Sequence, residues 1–391
     1  MGDRLDGTSI LKQVKSRIEI HRDRLKDNLS GMKIVIFQFD PPSELTDFYE
    51  VSKYKAADTS TAQKCKLFGD FLGCEVEVVK LPNNTAFKDF KRVISINNKS
   101  ENIKGIIIQY PIPEKLDPVN NKSKQIIQLI ATDKDIDAVS DSGIKCWGRC
   151  ATADAICRVV DAGLKPGSKI VLVGSVGFVG RGVASYLKSK EAALKLEINT
   201  VNKKGVPSTT SLDKIKTINP STLISVTGKE QLITVDLLKD TNIDLLIDCG
   251  FVVTHWKNKE GRTIVVGDMS RGYLFPEDKS QGEGDILIAD EKKDTYKSAR
   301  FVTPVPGGIG PMEMAVLLER FMIKEFPQLR LEPWKLIKLD KLAAELANRP
   351  PDDKIPIDYL VDPDVEFRES LNAAVIHRPK PPEPPGLSRS L

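Results

Sequence analysis

The chain has 391 residues, with 58 Lys and Arg against 54 Asp and Glu, a formal net charge of +4, 40% hydrophobic and 29% charged residues. The length allows two domains and a further segment. The composition is that of a soluble globular protein, and so slight a charge excludes a partner recognised by a basic field, whether nucleic acid or membrane surface. The six cysteines form no CxxC pair and none of the three histidines stands near them. A zinc set is therefore not expected, and the thiols read as reduced and structural, as in a cytoplasmic protein. Met1-Gly2-Asp3-Arg4 lacks an apolar signal core, and no apolar run approaches the ~18 residues of a membrane span.

Ile10, Leu11, Val14 and Ile18 recur at helical spacing, so an amphipathic helix opens the chain. Lys33 to Phe39 is β-rich and reads as a strand. A Pro-rich turn, Asp40-Pro41-Pro42-Ser43, leads into a helix predicted over 49–72. Tyr49 and Lys53 stand four apart at its start and share a face. Such a pair is either ordinary exposed surface, or a ring that stacks on a flat heterocycle beside an amine that moves a proton. The second role needs a lysine pKa lowered by burial or a cationic neighbour. A strand follows over Glu75 to Leu81, then a helix over 86–96. Gly105-Ile106-Ile107-Ile108-Gln109 reads as a buried parallel strand and runs into Tyr110-Pro111-Ile112-Pro113. Alternating strands and helices imply a parallel sheet, whose ligands sit at the carboxyl ends of the strands. Gln109 is at such an end, either capping the turn or facing a ligand. A helix is predicted near 123–130. Asp133-Lys134-Asp135-Ile136-Asp137 is either a solvated loop or the source of a carboxylate that grips a ring N–H and an amino group together.

The pattern restarts with a helix over 153–164. Lys169 to Val173 is a strand that enters Gly174-Ser175-Val176-Gly177-Phe178-Val179-Gly180, and a helix runs on to about 188. Strand, glycine-rich turn and helix form the dinucleotide-binding arrangement, although the spacing is GxxGxxG and a tight turn without ligand would look the same. Further units follow: Glu197 to Val201, 222–226 into Thr227-Gly228, and 245–248 into Cys249-Gly250-Phe251. An NAD site usually carries an acid at the end of the second strand. Here Thr200-Val201-Asn202 has none, and Lys203-Lys204 follow, which are either a solvated turn or partners for a 2′-phosphate. Thr303-Pro304-Val305-Pro306-Gly307-Gly308-Ile309-Gly310-Pro311-Met312 demands a fixed backbone, as a hinge, a binding wall or both. A long apolar helix follows to about Phe326. Residues 334–346 read as one more helix, and Arg378 to Gly386 as extended polyproline.

Taken together, Thr303 to Met312, Ile106 to Pro113, Lys134 to Asp137, the Tyr49-xxx-Lys53 spacing and Gly267-Asp268-Met269 resemble the bifunctional methylenetetrahydrofolate dehydrogenase/cyclohydrolase family, in one collinear order over residues 5–326. The resemblance implies an α/β fold. A folate-binding catalytic domain with a parallel sheet would span 1–150, completed by 300–326. A Rossmann-like NAD(P)-binding domain would span 151–299. The C-terminal extension over 327–391 lies outside the resemblance; its Pro-rich composition leads to the expectation of partial disorder and of a folded, active enzyme after truncation at about Phe326. The resemblance implies oxidation of 5,10-methylenetetrahydrofolate to the methenyl cation, then hydrolysis to 10-formyltetrahydrofolate, by a homodimer. Lys53 would be the base, Gln109 its tuning partner, Tyr49 the stacking ring and Asp137 the pterin grip, with Pro306, Gly307 and Gly308 lining the pocket. The cofactor would lie on Gly174, Ser175, Val176, Gly177, Phe178, Val179, Lys203, Lys204, Thr227, Gly228 and Phe251. The chain departs from the family at Ser175, where an arginine is usual, and at Ala138, Ala151-Thr152-Ala153, Tyr110, Glu313 and the insertion around Glu44-Leu45-Thr46. The missing arginine argues for NAD; the missing acid and the two lysines argue for NADP, which the balance favours. The competing readings are a dehydrogenase without hydrolase activity and a folate- or nucleotide-binding regulator without turnover.

Overall fold

The structure, a computed structural model, describes residues 3–43, 48–118, 121–202, 206–228, 232–250, 252–253, 255–257, 263–265, 282–283, 295–349 and 357–362. Its first half runs β1 (Asp3–Arg4), α1 (Gly7–Arg22), α2 (Lys26–Ser30), β2 (Lys33–Phe39), α3 (Phe48–Cys65), β3 (Glu75–Leu81), α4 (Phe87–Lys99), β4 (Ile103–Ile108) and α5 (Asp141–Trp147). The second half runs α6 (Ala151–Gly163), β5 (Lys169–Val173), α7 (Phe178–Leu194), β6 (Glu197–Val201), α8 (Ile215–Ile218), β7 (Thr222–Ser225), α9 (Val235–Leu238) and β8 (Ile243–Asp248). The short strands β9 (Val252–Val253), β10 (His255–Lys257), β11 (Thr263–Val265) and β12 (Gly282–Glu283) precede β13 (Ala299–Thr303), α10 (Ile309–Glu325) and α11 (Leu339–Ala347).

Two parallel sheets organise the molecule. The first has the order β3-β2-β4 and the second β1-β13-β8-β7-β5-β6. β2 shows why the strands are apolar without a break. Ile34 and Ile36 point into one core, shared with α1, α6 and α10, while Val35 and Phe37 point into another, with Phe90 and Ile106. Alternation of period two thus buries both faces. The second sheet is covered likewise, with Val171, Val173 and Leu223 facing one core and Ile170, Leu172 and Ile224 the other.

The domain boundary differs from the sequence expectation in one respect. β13 pairs with β8 and β1, so 299–303 complete the second sheet rather than the first half. Only α10 returns, packing on α1, on α6 and, through Phe321 against Phe68 at 5.6 Å, on the end of α3, which continues through a wider turn at Lys66–Phe71. The helix expected near 123–130 is instead two short 3-10 turns, Lys122–Lys124 and Ile126–Leu129. Asn98 reaches over from α4, donating to the Leu129 carbonyl and accepting from the Ala131 amide, and so satisfies backbone groups that a helix would have paired.

The extension beyond Phe326 is docked as far as it is described. The Trp334 amide donates to Glu319 Oε2 at 2.6 Å, and the Arg158 guanidinium lies 4.7 Å from the centre of the Trp334 ring. Leu336 pairs with Leu360, Gln13 donates to the Ile357 carbonyl and Arg17 to that of Val361. Trp334, Leu336, Leu339, Leu342, Tyr359 and Leu360 are all buried. These residues bury apolar surface against the core, which counts against the expectation that the whole extension is dispensable. The polyproline segment lies outside the described residues.

Candidate functional site

α3 carries a buried stripe of Ala57, Thr61, Lys64 and Phe68, spaced as one helical face. A lysine in that stripe needs acceptors, because a buried ammonium without them is costly. Lys64 Nζ has three: Ser60 Oγ at 2.7 Å, Gln109 Oε1 at 3.0 Å and Glu313 Oε1 at 3.2 Å. Ser60 stands four residues before Lys64, one turn back on the same face. Gln109 leaves the carboxyl end of β4, its amide donating to the Phe37 carbonyl in β2. Glu313 comes from the start of α10, and its second oxygen accepts from Thr152 in the first turn of α6 at 2.8 Å. Three elements thus converge on one amine, and α6 holds the glutamate in place.

Lys53 is not the lysine that meets Gln109. It lies about three turns back on α3, roughly 16 Å along the axis at ~1.5 Å per residue, and pairs with Glu50 at 2.6 Å, its side chain 41% exposed. The Tyr49 side chain lies outside the described residues, and so does the insertion around Glu44-Leu45-Thr46. A tyrosine four residues before a lysine drew the reading to the start of the helix. The signal that marked Lys64 was instead a charge on the apolar stripe.

Asp137 sits beside this cluster, with Oδ1 accepting from the Ala151 amide at 3.2 Å. Burial and then the Glu313 charge push its carboxyl up to about 6, against the opposing pull of Lys64. The preceding acid, Asp135, has a different job: it accepts from the Val139 amide and from the amide and hydroxyl of Ser140, and so pins the loop. Arg320, which the sequence reading missed, holds the loop from the other side. Nearly wholly buried in α10, it donates to the carbonyls of Ile136, Asp137 and Arg149. Nothing but a buried arginine in an apolar helix signalled it. Asp154 stays below the usual carboxylate range despite its burial, because Arg158, Arg320 and Arg149 surround it.

Pro306, Gly307 and Gly308 form the turn between β13 and α10. The Gly7 amide donates to the Gly307 carbonyl at 2.8 Å, and a Cβ on Gly7 would fall 2.0 Å from the Gly308 carbonyl oxygen. The start of α1 thus presses directly on this loop, which only a glycine at position 7 permits.

In the second sheet, the carboxyl ends of β5, β7 and β8 lie in register, with Val173 beside Ser225 and Ser225 beside Asp248. Gly174 leaves β5 and turns back so tightly that a Cβ on Gly180 would fall 2.0 Å from its carbonyl oxygen. Gly177 opens α7 with no side chain capping the first turn. The backbone amides there suit a pyrophosphate, which the helix N-terminus also attracts. Ser175, Val176 and Val179 belong to the same turn, and Thr227 and Gly228 follow β7 at its side. Ser175 Oγ donates to Asn202 Oδ1 at 3.1 Å, where β6 ends. Phe178 stacks on Tyr110 at 5.7 Å, joining the two halves. Burial and Asp117 keep the Tyr110 phenol protonated, and it donates to Asp117 Oδ2. The residues present therefore fit a dinucleotide. Lys203, Lys204, Phe251 and Gly267-Asp268-Met269 lie outside the described residues.

Comparison with known proteins gives matches to two family models. The catalytic domain of tetrahydrofolate dehydrogenase/cyclohydrolase matches residues 5–137, and its NAD(P)-binding domain matches residues 150–326. The bifunctional protein FolD of Moorella thermoacetica is 27% identical over 325 residues, covering 81% of this chain and 95% of that protein. That of Clostridium tetani is 29% identical over 257 residues, 63% of this chain and 76% of the relative. The structure of the methylenetetrahydrofolate dehydrogenase-cyclohydrolase of Trypanosoma brucei, complexed with NADP cofactor and inhibitor, superimposes with a TM-score of 0.60 at 20% identity, over 84% of this chain and 99% of that one. The NAD-dependent 5,10-methylenetetrahydrofolate dehydrogenase of Saccharomyces cerevisiae has the same fold, with a TM-score of 0.53 at 12% identity over 84% and 98%.

Proposed function

The chain belongs to the tetrahydrofolate dehydrogenase/cyclohydrolase family, and on that premise we propose that it oxidises 5,10-methylenetetrahydrofolate to the methenyl cation and hydrolyses the cation to 10-formyltetrahydrofolate. The observation that carries this reading is the convergence of Lys64, Gln109 and Asp137 at the carboxyl edge of the first sheet, where Tyr110, next to Gln109, stacks on Phe178 of the glycine-rich turn. A nicotinamide dinucleotide bound on Gly174 to Val179 and beside Thr227 and Gly228 supplies the hydride acceptor. The chain's own residues bind, orient and move protons. Asp137 accepts hydrogen bonds from the pterin ring and fixes its position. The Pro306-Gly307-Gly308 turn, braced by Gly7, walls the pocket. In the second step water adds to the methenyl carbon and gives a proton to the Lys64 amine, which Gln109 orients. The bond from that carbon to N5 then breaks, N5 taking up a proton as the added oxygen becomes the carbonyl of the 10-formyl product.

Lys64 replaces Lys53 in this role, and Tyr49 is left at the far end of the helix from it. We assign NADP as the preferred cofactor, since β6 ends without an acid, and a cytoplasmic homodimer as the working form. Among the described residues no helix is long and apolar enough to cross a membrane. The lysine–glutamine pair speaks against both a regulator without turnover and outright loss of hydrolysis. Purified protein given methylenetetrahydrofolate with NADP or NAD, with reduced nicotinamide and the methenyl chromophore followed separately, tests the reading. Formation of neither overturns it.

A further inference from the structure

Lys64 must lose a proton before it can take one from water, and the carboxylate in contact with it opposes that loss. We propose that Glu313 is a positioning residue that restrains the hydrolytic step, so that oxidation outpaces hydrolysis in this protein. The inference rests on the reading of Lys64 as the base.

An ammonium has three N–H donors, and here each has its own acceptor: Ser60, Gln109 and Glu313. Two of these are neutral and can stay paired with an amine. Glu313 is charged, and its link to a lysine side chain that is only 2% exposed is a charge-assisted contact. Loss of the lysine proton would strand the Glu313 carboxylate at the edge of the core, close to a second carboxylate, Asp137. Thr152 is fixed on the other Glu313 oxygen, so the glutamate cannot swing away without giving up a second hydrogen bond. The groups that meet the pair are Gln109 from the end of β4 on Lys64 and Thr152 from α6 on Glu313, with Asp137 from the loop before α5 and Cys150 just ahead of α6 close enough to act on it electrostatically. Arg320 is turned toward the carbonyls of Ile136, Asp137 and Arg149, and toward Asp154 at 3.5 Å, leaving Glu313 as the anion on Lys64. Hydride transfer from the methylene carbon does not need the lysine as a base, so the restraint falls on one of the two reactions.

The test is the ratio of methenyltetrahydrofolate hydrolysis to methylenetetrahydrofolate oxidation, with the pH profile of hydrolysis, in wild type, Glu313→Gln, Glu313→Ala and Lys64→Met. Gln keeps the length of the side chain and a hydrogen bond to Thr152 while removing the charge. The proposal expects the ratio to rise by about tenfold or more in Glu313→Gln, with the rising limb of the hydrolysis profile moved to lower pH, and to rise in Glu313→Ala as well. An unchanged or lower ratio in Glu313→Gln, while Lys64→Met abolishes hydrolysis, overturns the restraint and leaves the base assignment standing. Unchanged hydrolysis in Lys64→Met overturns both.

Discussion

The Lys64 amine donates to the Gln109 side-chain oxygen at 3.0 Å, across 45 residues of sequence and from helix to strand end. Lys53, on the same helix, pairs with Glu50 and keeps 41% of its side chain exposed. Replacing Lys64 by Met is therefore expected to lower the rate of methenyltetrahydrofolate hydrolysis by ~10²–10⁴-fold, the usual contribution of a general base. Lys53→Met should change it by less than about twofold, since an exposed ion pair contributes only ~0–1 kcal/mol to stability. Equal losses in the two variants would return the role to Lys53.

Most of the βα alternation was legible before the structure. The strands read at Lys33–Phe39, Glu75–Leu81, Lys169–Val173 and Glu197–Val201 stand where the apolar runs put them. What stayed hidden depended on distant partners. Asp3–Arg4 is too short to show periodicity and is a strand only because Phe301 and Val302 pair with it. Ile126, Ile127 and Ile130 mimic a helical face, yet Asn98 holds their backbone in another shape. In the proposed site, Gln109 and Asp137 stood out in the sequence because one ends a buried strand and the other closes an acidic run. Lys64 was not legible as the partner of Gln109 because the residue four before it is Ser60, while the spacing of Tyr49 and Lys53 drew attention to the start of the helix.

The carboxyl of Asp137 is raised by burial and by Glu313, so it takes up a proton as pH falls through about 6, well above an ordinary aspartate. If the pterin ring donates to the ionised form, folate binds the deprotonated enzyme, and protonation competes with binding. The folate KM should hold steady near neutral pH and climb below about 6, approaching tenfold per unit further down. In Asp137→Asn the KM should be high throughout and this rise should vanish. A flat KM between about pH 7 and 5 in wild type, with cofactor KM as control, would count against the pterin role.

Trp334 ties the extension to the core through Glu319 and Arg158. Trp334→Ala removes a large buried ring and should cost ~3–5 kcal/mol, as such truncations do, read as a lower urea midpoint. Ending the chain after Phe326 should do worse, since Leu339, Leu342 and Ala343 are lost as well and their neighbours on α6 are uncovered. Soluble, active protein from that truncation would show that the docked segment adds nothing. Removing only residues after 362 is expected to leave activity intact, because the Pro-rich end has little apolar surface to bury.

Cofactor choice turns on the end of β6. Asn202 occupies the place where an NAD site usually has an acid for the ribose 2′-hydroxyl. Its Oδ1 accepts from Ser175 in the glycine-rich turn, and its Nδ2 donates to the Pro207 carbonyl at 2.6 Å. The amide is thus held at the point where the nucleotide turn and the second strand meet, with no negative charge to repel a 2′-phosphate. Asn202→Asp keeps the shape and the acceptor for Ser175, adds the charge, and loses the contact to Pro207. The variant is expected to lower kcat/KM for NADP and raise it for NAD, moving their ratio by about tenfold or more, the effect of ~1.4 kcal/mol. The Lys203→Ala/Lys204→Ala double variant should weaken NADP alone, since NAD has no 2′-phosphate for those amines. Steady-state kinetics with both cofactors decides the matter. A wild type that prefers NAD, or a ratio that moves in neither variant, would place the discrimination elsewhere in the nucleotide site.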